Sequence, residues 1–84
     1  MPKFRTYEGA ARWHRKQVRD QVKLLEGLGH EFNAAHEMLE GARNPAEETV
    51  WTLRLRDVEG QRDSALAELW SRLVAQDQLE WDWR

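Results

Sequence analysis

The sequence predicts an all-α fold: a small three-helix bundle in which a short helical hairpin, residues about 7–26 and 30–42, packs on a long C-terminal helix, about 45–78. Three observations carry this reading. Apolar side chains recur at alternating three- and four-residue steps along most of the chain. Gly27-Leu28-Gly29 punctuates that pattern, and Asn44-Pro45-Ala46-Glu47 restarts it.

The first helix opens at Thr6, a suitable N-cap, with Glu8 in the first turn to complement the helix dipole. Ala11, His14, Val18, Gln21, Leu25 and Leu28 then mark one face, with Val22 beside them. The glycine pair at 27 and 29 reads as its stop, because glycine readily takes the left-handed C-cap. A second helix from about His30 to Ala42 places Phe32, Ala35, Leu39 and Ala42 on one side, with His36 and Met38 flanking and Glu31, Glu37 and Glu40 around the rest. Asn44 caps the third helix. Pro45 takes the first helical position, where a missing N–H costs nothing, and Glu47 reaches back in a capping box.

The stripe Trp51, Leu55, Val58, Arg62, Ala65, Leu69 and Leu73, widened by Leu66 and Trp70, carries that helix to about Gln78. Two features run against it: Thr52–Arg56 alternates like a strand, and Gly60 sits inside a polar stretch. One strand without a partner forms no sheet, and one glycine costs only about 1 kcal/mol. A continuous helix is therefore favoured, with room for a bend near Gly60, and two helices divided there are the alternative.

Eighty-four residues support a single domain with a thin core, and no cysteine is present to reinforce it with disulfides or thiolate metal sites. Self-association is the remaining remedy. A long third helix would overhang its short neighbours, so a homodimer through Leu66, Leu69, Trp70 and Leu73 is expected. No apolar run approaches the ~20 residues that a membrane span needs. Residues 1–5 lack the apolar stretch of a secretory signal, and a cytoplasmic location is expected, with no membrane partner.

Charge is segregated. Residues 1–23 carry seven Lys/Arg against Glu8 and Asp20, a local net of +5, whereas residues 24–51 carry six glutamates and only Arg43, a net of −5. Arg12, Arg15, Lys16, Arg19 and Lys23 form a basic ridge along the first helix, and Trp13 is available to stack on a base should the ridge follow a nucleic acid. The ridge has three readings: facing water or pairing with the acidic second helix across the hairpin, steering an acidic protein surface, or following a phosphate backbone. The six acids in the segment of helix two oppose its use as a DNA-recognition helix.

Catalytic and metal chemistry find little support. His30 and His36 fall on different helix faces, and His36 with Glu40 supplies only two ligands, so neither a metal nor a cofactor is expected. His14 reads as a semi-buried, hydrogen-bonded member of the apolar stripe. Ser64 and Ser71 lack a nucleophile-elbow setting, and no phosphate-cradling glycine loop occurs, so the chain is not expected to be an enzyme. Residues 79–84 form an acidic-aromatic tail. If extended, it presents Leu79, Trp81 and Trp83 on one side, and if folded back it covers the core.

These features suit a small non-catalytic regulator, an adaptor or inhibitor that binds a protein stoichiometrically. Arg12, Trp13, Arg15, Lys16, Arg19, Lys23, Trp81 and Trp83 are its expected contacts. Abundant arginine, with alanine and tryptophan, is a composition common in small chains of high-GC bacteria and their phages. A nucleic-acid-associated protein and a structural subunit of a larger particle are the alternatives.

Overall fold

The computed structural model describes residues 4–83. Within them the chain forms two helices, α1 (Tyr7–Glu40) and α2 (Pro45–Asp82), joined by residues 41–44. The all-helical class agrees with the sequence reading, but the three-helix bundle does not. The molecule is an antiparallel hairpin with extents of 60 × 16 × 14 Å. Its radius of gyration is 18.4 Å, against about 12 Å for a compact chain of this length.

The difference arises at Gly27-Leu28-Gly29. No described glycine has a positive φ, so neither residue makes the left-handed cap that would end a helix. Leu25, Leu28, Phe32 and Ala35 keep the same three–four phase across the glycines, so ending the helix would break a continuous seam. Each interior glycine costs about 1 kcal/mol against alanine. For the two glycines together that is less than the burial lost if Leu28 and Ala35, both buried, and the half-buried Phe32 and Leu39 left the partner helix, a fully buried large side chain being worth roughly 1.5–3 kcal/mol. The seam wins, and the expected helices at 7–26 and 30–42 are one.

The capping signals act as read. Thr6 Oγ1 accepts from the Gly9 N–H at 3.1 Å. Asn44 Oδ1 accepts from the Glu47 N–H at 2.9 Å, with Pro45 in the first turn. The Glu47 carboxylate reaches one residue further than a capping box requires, accepting from the Arg43 N–H at 2.9 Å. Asn44→Ala is therefore expected to lower the unfolding free energy by about 1 kcal/mol, measured by urea titration of the helical circular-dichroism signal.

Seven-residue repeats organise the seam. Ala11, Val18, Leu25, Phe32 and Leu39 occupy a positions of α1, and His14, Gln21, Leu28, Ala35 and Ala42 occupy d. In α2, Leu55, Arg62, Leu69 and Gln76 are at a, and Trp51, Val58, Ala65, Arg72 and Leu79 at d. The buried set is Ala10, His14, Gln21, Leu28, Ala35, Val58, Ala65 and Leu79.

Polar seam residues set the register. Gln21 Nε2 donates to the Ala65 carbonyl at 2.8 Å, Arg72 Nη1 donates to the Gln17 carbonyl at 2.8 Å, and the Arg62 guanidinium lies 5.1 Å from the Phe32 ring centre. Arg72, rather than the expected Leu73, continues the stripe. The heptad phase reaches residue 72, and the long arginine stem spans the seam while its head finds a carbonyl.

The two helices are matched in length, about 51 and 57 Å at 1.5 Å per residue. The second helix therefore does not overhang a short neighbour, and it neither breaks nor folds back at Gly60. It also runs through residues 79–82, beyond the expected end at Gln78, so Leu79 is a buried seam residue and not part of an extended tail.

Candidate functional site

In an antiparallel pair the seam has two sides, one flanked by the e and b positions of both helices and the other by g and c. Several grooves lie on the g/c side. A mid-rod groove of about 660 Å³ runs over Leu24, Leu28, Gly60, Ser64 and Ala65, rimmed by Arg56, Asp57 and Glu68. At the open end a second, of about 560 Å³, is lined by Phe4, His14, Val74, Leu79 and Trp83 among others. Trp13 belongs to this side. It packs against Phe4 in a tilted arrangement, with ring centres 5.7 Å apart, and lines a small groove with His14 and Arg72. It directly follows Arg12, and that single step of 100° carries it round to the other side of α1.

The e/b side has a different character. Val22 at an e position of α1 is level with Leu66 at an e position of α2, and Leu73 and Trp70 continue the row towards the open end. All four are exposed, Trp70 by 70% and Leu66 by 50%. Leu69, expected in the same patch, is instead half-buried in the seam. Arg12, Arg15 and Arg19 border the row at b, e and b positions of α1, with Lys16 and Lys23 on the outermost f positions. Asp63 and Asp77 bracket Trp70 along the α2 edge, each one heptad away.

The ridge is not neutralised within the hairpin. The ion pairs among the described residues are His36–Glu40 at 3.3 Å, Arg54–Glu31 at 3.3 Å, Arg54–Asp57 at 3.4 Å and Arg72–Glu68 at 3.0 Å, and none includes a ridge residue. The expected pairing of the basic segment with the acidic one fails for a simple reason. The acidic stretch continues along the same helix axis and does not fold back over the basic one. Arg19 and Glu31 are twelve residues apart, about 18 Å along a helix.

The C-terminal tryptophans have different surroundings. Trp83 is the C-cap of α2 and meets Tyr7 edge-on, with ring centres 6.1 Å apart, which closes the open end. Trp81 is 66% exposed on the outer surface of α2. Among the described residues, no three His, Cys, Asp or Glu side chains lie close enough to hold a metal ion, and no helix is long and apolar enough to cross a membrane.

The periodicity located the seam and marked Leu66, Trp70 and Leu73 as an exposed patch, but that Val22 and the arginines of α1 lie beside them was not apparent from sequence. A heptad assignment carried across Gly27 and Gly29 would have found it. The fold and its exposed face define a class: a two-helix coiled-coil hairpin with one apolar, arginine-bordered side. No family model, curated protein or solved structure matches this chain.

Proposed function

We propose that the chain is a small non-catalytic regulator of the adaptor or inhibitor type, working in a cytoplasm and holding a protein partner stoichiometrically on its e/b side. The observation that carries this reading is the exposed Val22, Leu66, Trp70 and Leu73 row lying beside arginines that make no ion pair among the described residues. Apolar side chains in a row are costly to leave in water, and aromatic and arginine side chains are the usual anchors of interfaces. Surface area supports the same conclusion. The chain exposes 6660 Å², whereas a compact monomer of its 10.0 kDa mass exposes about 5200 Å². The excess, about 1400 Å², exceeds the roughly 800 Å² that each partner contributes to a standard interface.

Two other uses compete for this side. The five basic residues of the ridge favour a nucleic-acid backbone, and the apolar row favours a homodimer through Leu66, Trp70 and Leu73. Immobilised full-length chain and its Trp70→Ala variant, exposed to bacterial lysate with and without nuclease, separate them. The regulator reading expects one protein retained at 1:1 stoichiometry in high salt, untouched by nuclease and lost with Trp70→Ala. Retention that nuclease abolishes, or that collapses steeply with salt, belongs to the nucleic-acid reading. Sedimentation equilibrium of the free chain reports the dimer directly.

A further inference from the structure

The charge distribution around the apolar row identifies the occupant more closely, an inference that rests on the protein-binding reading above. Val22, Leu66, Trp70 and Leu73 are bordered asymmetrically: Arg12, Arg15 and Arg19 along α1, and Asp63 and Asp77 along α2. An incoming element must bury apolar side chains over the centre and meet cations on one edge only. Leu66 to Leu73 covers two turns of helix, and the ridge from Arg12 to Lys23 about three, roughly 17 Å at 1.5 Å per residue. We infer that this side takes a third helix from a different protein, amphipathic, with acidic residues on the flank that lies over α1 and neutral or basic residues over the Asp63–Asp77 edge. Docking it converts the hairpin locally into a three-helix bundle, with Trp70 at the centre of the contact.

A second copy of the chain fits this side poorly, by symmetry. Two-fold packing that lays Leu66, Trp70 and Leu73 on their own copies runs the hairpins antiparallel, with α1 facing α1 and α2 facing α2. Arg12, Arg15 and Arg19 of both copies then meet each other, as do the aspartates. The other two-fold, along the rod, sets the arginines of each copy over the apolar row of its mate, with only Asp63 and Asp77 at the two ends of that row to pair with them, so the leucines and Trp70 face guanidinium groups instead of apolar side chains. Either arrangement wastes the apolar surface or opposes like charges, whereas a heterologous acidic helix satisfies both edges. Phosphate backbones fit poorly as well, because Asp63 and Asp77 flank the row on its other edge.

The test uses the full-length chain and two fluorescein-labelled helical peptides followed by anisotropy. Both peptides carry the same leucine stripe and a glutamine flank. One has glutamate on the second flank, the other lysine. The glutamate peptide is expected to bind tighter by roughly tenfold or more at low salt, with the difference shrinking as salt rises. Arg15→Glu with Arg19→Glu should abolish or invert the preference. Trp70→Ala should weaken the glutamate peptide by roughly 30-fold, and since Trp70 is 70% exposed, helix content should be unchanged. Equal affinity for the two peptides overturns the acidic partner but leaves a protein-binding face. Binding of a labelled oligonucleotide by a chain that ignores both peptides overturns the inference and the protein-binding reading together. Self-association that Trp70→Ala abolishes assigns the face to a second copy and overturns the inference.

Discussion

Replacing Val58 with aspartate is expected to destabilise the hairpin by about 3–5 kcal/mol, enough to unfold a chain with so thin a core. Val58 is fully buried at a d position near the middle of α2, the largest side chain with essentially no exposure. A carboxylate there enters an apolar layer, and Arg62, one turn on in the seam, is already engaged over the Phe32 ring, so the new group must either remain charged in that layer or bind a proton at the expense of its usual solvation. Val58→Ala separates packing from charge, because it deletes two methyl groups and should cost only about 2 kcal/mol. Helical circular dichroism against temperature checks both. If Val58→Asp melts like the parent chain, the seam does not pass through residue 58, and the heptad register must shift.

Replacing Gly27, Gly29 and Gly60 together with alanine is expected to act in the opposite direction, raising the unfolding free energy by about 2–3 kcal/mol. Each glycine lies inside a helix with no positive φ, and a Cβ built on it meets nothing within 4 Å. Alanine therefore gains helix propensity and reduces unfolded-state entropy without a clash. The result also discriminates between architectures. Were Gly27 and Gly29 the left-handed stop between two short helices, alanine would be strained there and the triple variant would be less stable than the parent. Urea unfolding of the parent and the triple variant reads the sign directly. With no intrachain need for the three glycines, their presence costs stability that the hairpin could otherwise retain.

Much of the fold follows from local chemistry and is legible in the residues themselves. The caps at Thr6 and Asn44 depend on side chains reaching N–H groups three residues away, and proline at 45 has only one good place in a helix. The stripes from Ala11 to Leu28, from Phe32 to Ala42 and from Trp51 to Leu69 are the seam itself, because a three–four spacing puts residues on one helix face whatever lies opposite. Helical class, the start of α2 and most seam residues were thus determined by the sequence alone.

What the sequence left open was decided by competition between elements. Local propensity at Gly27-Leu28-Gly29 favours a stop. Only the facing helix, offering Val58 and its neighbours to Leu28, makes a continuous α1 the lower free-energy solution. Arg72 entered the seam in place of Leu73 because Gln17 presents a carbonyl across it, a partner that lies 55 positions away in the chain. Whether the basic ridge is paired, and that Val22 meets the level of Leu66, are consequences of one long helix lying antiparallel to another. A residue's helix face is encoded within seven residues of sequence. What that face meets is set by the register between distant segments, and only the assembled hairpin specifies it.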